Sequence, residues 1–564
     1  MNKNILLGLL PFWTPLIPPL GISSLKAFLQ NEGYRVKTVD FNTEEVFKRH
    51  YNQYFNILRE SIPGDKWGNF YNLGHDVLQN HMMALLRRKD ENEYTRLVNL
   101  LVERNYGCGI DESQVRQLNR IIHDFYVCLE ERFQRLLEEE KPAVLGLSVF
   151  RGTLPASLFA FTLTRQTYPH IKTVMGGPIF SQELDTRSRD FTYFLEAVPY
   201  IDAFIIGEGE KLFLAYLKEA LPRSQRIYTL QDIQNDILDL AAAPPPDFLD
   251  FDIEYYPHMS AYTSRSCPFQ CSFCAETTYW GKFRKKSVSQ VVKELEALYR
   301  AHRRQLFLMC DSLLNPVITP LARELSRREI SLYWDGYLRV DAAACDTVNT
   351  LLWRKGGFYR ARLGIESGAP HVLELMGKKI TPQQIKAAVS SLAYAGIKTT
   401  TYWVIGHPGE TEADFQQTLD IIEALKDDIY EAECNPFRYF LYGQVNSDQW
   451  MQDHTPLPLY PDTSEVRDLL MFQTWILDGE PSREETIDRV NRFVAHCQRI
   501  GIPNPYTLEE IKAADERWKK LHPNAVPSLL EFNAGEEHIV SETHRLKEML
   551  PGENKFQEED DFAF

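Results

Sequence analysis

Apolar residues fall along this chain in two rhythms. Short unbroken runs such as ILLGLLPFW (5–13), AVLGLSVF (143–150) and IKTVMGGPIF (171–180) suit strands buried on both faces. Between them the period lengthens to that of amphipathic helices. PPLGISSLKAFLQNEGY (18–34) has prolines before its start and Gly33 near its end, the expected punctuation of a helix. RVKTVDFN (35–42) and AFIIGEGE (203–210) add further strands. Strands joined through helices predict a parallel, doubly wound, Rossmann-like sheet with right-handed crossovers over residues 1–221. Residues from about 43 to 140, rich in Glu, Arg, Leu and Asn with helical periodicity, are expected to be a helical insertion in it.

A Pro-rich acidic stretch, LAAAPPPDFLDFDIEYYP (240–257), lies within a predicted linker over residues 222–257. A second alternating series follows at 258–447. Its candidate strands are SAYTSRS, QLFLMCDS, SLYWDGYLRV, FYRARLGIES, IKTTTYWVIG and EAECNPFRYFLY, six in all, which predicts a partial (β/α)6 barrel. Residues 448–564 read as a helical carboxyl-terminal region ending in an acidic tail, GENKFQEEDDFAF.

The chain has 564 residues, 62 Lys plus Arg and 78 Asp plus Glu, a net charge of −16. That balance argues against general nucleic-acid binding, which needs a basic face. No apolar run is long enough to span a bilayer. The opening MNKNILLGLLPFWTPLIPPLG resembles a secretory signal but lacks a small-residue cleavage site, and prolines close it. A buried first strand and a cytoplasmic location are therefore expected.

Of nine cysteines, Cys108, Cys128, Cys310, Cys345, Cys434 and Cys497 are scattered, as small hydrophobes are. Cys267, Cys271 and Cys274 are clustered in SRSCPFQCSFCAETTYW at the end of the first barrel strand. Residues at i, i+4 and i+7 let one loop wrap three corners of a cubane iron–sulfur cluster, whose usual ligands are thiolates. A zinc site would want a fourth protein ligand or a water, and a redox pair only two cysteines.

The CxxxCxxC loop resembles the signature of the radical S-adenosylmethionine (SAM) superfamily, with Phe273 at the aromatic position before the last cysteine. The motifs FLMCDSLLN, YLRVD, LGIESG and VIGHPGET follow at successive strand ends, where barrel enzymes place their chemistry. Each has a plainer reading as a cap or turn; their order after the cysteine loop carries the resemblance, over about Met259 to Tyr442. It implies a [4Fe-4S] cluster whose open iron binds SAM, and reductive cleavage of SAM to a 5′-deoxyadenosyl radical. It also implies SAM contacts from Phe273, Arg339, Glu366, Ser367, Gly406 and Gly409, Glu366 approaching the ribose. A flavodoxin or ferredoxin is the implied reducing partner.

In the first domain PPLG, SVFRGT, MGGPIF and IIGEGE stand at strand ends, where open parallel sheets bind ligands. Their order resembles the cobalamin-binding domain of cobalamin-dependent radical SAM enzymes. The resemblance implies contacts from Gly21, Ser148, Gly152, Thr153, Gly176, Gly177, Gly207, Glu208 and Gly209. The chain contains no DxHxxG, the motif that supplies a cobalt-ligating histidine elsewhere, and this branch commonly lacks it. Methylation of an unactivated carbon in a peptide or natural product is the leading expectation. Cyclisation, rearrangement or oxidation with both cofactors, or SAM-only peptide modification by a chain with a degenerate first domain, are alternatives. A methylthiotransferase is not expected, because the first domain lacks a second cysteine trio.

Overall fold

The computed structural model describes residues 4–12, 15–328, 331–504 and 508–526. Six strands form the first sheet: β1 (Asn4–Leu9), β2 (Arg35–Asp40), β3 (Val144–Ser148), β4 (Lys172–Gly176), β5 (Ala203–Ile206) and β6 (Ile227–Thr229). Their order is β2-β1-β3-β4-β5-β6 and every pairing is parallel. The expected doubly wound fold is therefore present. β6 was not anticipated: it comes from the stretch read as linker, where three residues are too few to show a period. That stretch is fastened to the sheet further on. Buried Lys26 reaches Asp250 at 2.7 Å and Asp247 at 3.2 Å, and the Thr38 amide donates to Asp250 at 2.8 Å.

The insertion folds as four helices, α2 (Glu45–Ser61), α3 (Phe70–Arg87), α4 (Glu91–Tyr106) and α5 (Glu112–Glu140), after α1 (Leu20–Asn31). α5 starts in a capping box between Asp111 and Gln114, and the helices share one apolar core with a face of the first sheet.

A short ribbon of β8 (Ser264–Arg265) and β9 (Arg284–Lys285) follows the first barrel strand, β7 (Met259–Ala261). The remaining barrel strands are β10 (Leu306–Met309), β11 (Tyr333–Leu338), β12 (Phe358–Glu366), β13 (Lys398–Ile405) and β14 (Glu431–Pro436). All pair in parallel in the order β14-β13-β12-β11-β10-β7, the expected open six-stranded barrel. The carboxyl-terminal region departs from the helical expectation by containing an antiparallel ribbon, β15 (Pro456–Pro458) and β16 (Trp475–Leu477). Proline at both ends of β15 hid it as a strand. The acidic tail lies outside the described residues. No described helix is long and apolar enough to cross a membrane.

The helix Leu508–Leu521 closes the outer end of β13 through a buried ion pair, Lys398 with Asp515, which also accepts from the Tyr430 hydroxyl at 2.8 Å. Breaking one side of such a pair strands a buried charge, at about 3–5 kcal/mol. Asp515→Ala should lower the unfolding free energy measured by urea titration by that amount, and Lys398→Met in the same chain should recover part of the loss. Equal stability of Asp515→Ala and the wild type would show the pair to be unimportant.

Candidate active site

The cysteine loop hangs from the end of β7, and its base is held by Asp311 at the end of β10. This buried carboxylate accepts from the Thr263 amide, from the Thr263 hydroxyl at 2.6 Å and from the Ser264 hydroxyl at 2.6 Å. Burial raises its pKa, and these hydrogen bonds offset only part of the rise. The sequence suggested for Asp311 only a helix cap. Further along, the Ser272 amide donates to Met376 O at 2.9 Å, the Asn446 amide to Ser272 O at 3.0 Å and the Val445 amide to Cys274 O at 3.1 Å. The loop is thus held by segments remote in sequence on both sides.

Cys271 is buried, and Cys267 and Cys274 are partly so. Burial pushes the Cys267 thiol up and the Cys274 thiol up to about 12, and each is raised further by its neighbours in the loop. Among the described residues no three His, Cys, Asp or Glu converge on a single ion. Thiolates at separate corners of a cubane each hold a different iron and need no common point. Arg339 supplies the counter-charge. Its Nη1 lies 3.4 Å from Cys271 Sγ, its guanidinium stacks 4.2 Å from the Phe269 ring centre, and its Nη2 is buried without a hydrogen-bond partner among the described residues. An orphaned cationic donor beside three thiols fits a group bearing negative charge.

The other barrel-end residues fall around this loop in two kinds. Glu366 ends β12 with φ +71°, a conformation costing a non-glycine residue on the order of 1–3 kcal/mol, and pairs with Lys378 at 2.8 Å. Phe273 packs against Val372 and Met376 beneath it. Ser367, by contrast, is buried with its hydroxyl committed to the Ala369 amide at 3.1 Å and within 3.3 Å of Thr418 Oγ1. The Gly406–Gly409 turn is held from outside. The Gly409 amide donates to Glu480 O at 2.9 Å, and a side chain at Gly406 would run into Thr486. His407 has its pKa lowered to about 4 by burial, so it is a neutral loop histidine.

The carboxyl edges of the two sheets face each other. Arg265 on β8 donates to Glu208 at 2.6 Å and to Glu210 at 2.5 Å, and Arg284 on β9 also pairs with Glu208. Glu208, Glu210 and Arg265 of this clamp border a cleft of about 670 Å³. Gly21, Ser148, Gly176, Gly177, Gly207, Glu208 and Gly209 line it from the first domain, and Tyr262, Trp280 and Cys310 from the barrel side. Gly177 and Gly207 have φ of +109° and +111°, so both turns need glycine. A Cβ at Gly21 would meet nothing within 4 Å. The Glu208 carboxylate is spent on the clamp. Gly152 and Thr153 are not brought to this cavity: Gly152 lines a neighbouring one, and buried Thr153 accepts from the Phe150 amide at 2.9 Å. No histidine is among the described lining residues. A large, mainly apolar cleft with glycine turns and no imidazole fits a corrin without a protein histidine ligand.

Residues 262–422 match the family model described as Radical SAM superfamily, so this segment is a radical SAM domain. The likeness expected from the sequence extends over the first domain too. The structure of the radical SAM methyltransferase TsrM from Kitasatospora setae, with cobalamin and a [4Fe-4S] cluster bound, superposes with a TM-score of 0.59. It covers 97% of this chain and 100% of that one at 17% identity, a likeness of fold. Among curated proteins, the anaerobic magnesium-protoporphyrin IX monomethyl ester cyclase of Rubrivivax gelatinosus is 26% identical over 51% of this chain and 55% of its own. An uncharacterised methyltransferase of Pyrococcus horikoshii is 26% identical over 52% of this chain and 66% of its own. The chain thus spans little more than half to two thirds of the curated relatives it matches.

Asp311, Lys378 and Arg265 escaped the sequence reading, since each acts through a partner outside its own motif, 48, 12 and 57 residues away. Asp311→Ala should release the base of the cysteine loop, at roughly 1–3 kcal/mol for the stranded donors. Iron content after anaerobic reconstitution should fall while the far-ultraviolet spectrum stays native. Full iron loading in this variant would show that the loop does not depend on Asp311.

Proposed function

We propose that the chain is a cobalamin-dependent radical SAM enzyme that methylates an unactivated carbon of a peptide or natural product. The observation carrying this reading is the 670 Å³ cleft between the glycine-rich edge of the first sheet and the barrel mouth that bears the cysteine loop. When bound, the cluster supplies the electron that splits SAM, and cobalamin supplies a carrier for a methyl group. Cys267, Cys271 and Cys274 would hold the cluster, and Arg339 would balance its charge. Glu366, fixed by Lys378, would accept from the SAM ribose, with Phe273 beneath and the Gly406–Gly409 turn beside the adenine. The tight clamp would exclude water from the cleft. A flavodoxin or ferredoxin would deliver the electrons.

The similarity to magnesium-protoporphyrin cyclases favours a second reading, in which both cofactors serve a cyclisation or oxidation. The two part on the fate of the SAM methyl group.

Wild-type protein reconstituted anaerobically should bind one cobalamin, with a spectrum lacking a histidine-ligated cobalt. Gly21→Trp, whose Cβ meets no described atom within 4 Å and whose ring would take up cleft volume, should abolish that binding and leave the brown cluster absorbance intact. Label from the SAM methyl group should enter the product; cobalamin binding without label transfer would favour the second reading. A wild type that takes up no cobalamin would instead indicate a SAM-only enzyme.

Glu366→Gln keeps the side chain's size but loses a charge-assisted hydrogen bond worth on the order of 1.5–3 kcal/mol. SAM should bind about tenfold or more weakly in equilibrium dialysis, with the cluster unchanged. Unaltered affinity would remove Glu366 from the SAM site.

A further inference from the structure

A second cavity, of about 510 Å³, lies beside the first, and Phe12 lines both. Its walls come from α3 of the insertion, from the turn after β3, from the chain following β14 and from the carboxyl-terminal region. The insertion, the first sheet, the last barrel strand and the carboxyl-terminal region therefore all contribute to it.

Its charged groups are not all paired. Arg151 pairs with Glu183 at 2.7 Å and lies 3.5 Å from Asp76. Arg438 shares the same two carboxylates, at 3.4 Å and 3.6 Å. Of the other acids in the wall, Asp185 is taken by Arg187 at 2.9 Å, and Asp190 accepts from the Gln473 amide at 3.1 Å. Arg483, the first residue of the helix Arg483–Arg499, also lines the cavity and forms no ion pair among the described residues. Its Nε is buried without a hydrogen-bond partner among the described residues, and burial depresses its pKa. Arg151 and Arg438 share Asp76 and Glu183, and Arg483 has no carboxylate within ion-pair distance among the described residues. The Tyr439 hydroxyl, on the same wall, is likewise buried without a partner among the described residues. Burial holds its pKa up at about 12, so it stays a neutral donor. Arg483 and Tyr439 also border the small space beside Gly406. Around them the walls are aromatic, with Phe437, Tyr442 and Trp475.

A buried cationic donor and a buried neutral donor, both unpartnered, are costly to keep empty. We propose that this cavity is the substrate site, and that Arg483 and Tyr439 hold a carboxylate of a substrate whose body is apolar or aromatic. A single unpaired guanidinium matches a carboxylate better than a phosphate dianion. The assignment rests on the function proposed above only in calling the ligand a substrate; the site itself stands on its own residues.

Benzoate is the probe, benzamide its neutral counterpart and phenyl phosphate the dianion. Binding to the cluster-reconstituted protein, without reductant, is followed by saturation-transfer NMR and by melting temperature. Benzoate should bind and raise the melting temperature, and benzamide should bind at least tenfold more weakly. Arg483→Gln and Tyr439→Phe should each weaken benzoate tenfold or more. Arg483→Gln should melt no lower than the wild type in the absence of ligand, because it removes an unneutralised charge; a purely structural arginine would give a lower melting point. Equal benzoate binding by the wild type and Arg483→Gln, or none by the wild type, overturns the proposal. Tighter binding of phenyl phosphate overturns the carboxylate. Cluster and cobalamin contents, read on the same samples, separate these failures from failure of the cofactor assignment.

Discussion

The arrangement depends on one clamp. Arg265 and Arg284 stand on the small ribbon that follows the first barrel strand, and they grip Glu208 and Glu210 at the carboxyl edge of the first sheet. Buried ion pairs of this kind contribute little net stability, because desolvation offsets most of the attraction. What they fix is register. With both acids taken, the two sheets can present their strand ends to each other in only one way, and the large cleft is what remains between them. The ribbon that carries the arginines brackets the cysteine loop, so cleft and loop are positioned by the same contact.

Much of this was legible in the chain because it is local. The buried strands announce themselves as apolar runs, and the cysteine spacing is a property of one loop. The order of strand-end motifs places Glu366 and Arg339 at the barrel mouth. What stayed hidden is tertiary. β6 and β15 are three residues each, shorter than any period they might display. Asp311 looks like a cap until the fold brings Thr263 and Ser264 to it. Glu208 looked like a ligand contact in a glycine-rich turn, and its carboxylate turns out to serve the clamp. The role of Arg483 depends on the partners it lacks, and a sequence does not record a missing partner.

The two cavities differ in physical character. The larger is walled by glycine turns and apolar side chains, and its charged residues are satisfied by one another. The smaller keeps unsatisfied donors among aromatic rings. Shape dominates the first and charge the second, and Phe12 is the partition they share.

The bracing of the cysteine loop also sets an order of events during synthesis. The loop's supports include Met376, Val445 and Asn446, all made long after Cys274 leaves the ribosome. Until the last barrel strand has emerged and docked, the three thiols have no fixed geometry. A nascent chain would therefore expose an unshaped CxxxCxxC segment, and cluster insertion would await a nearly finished barrel.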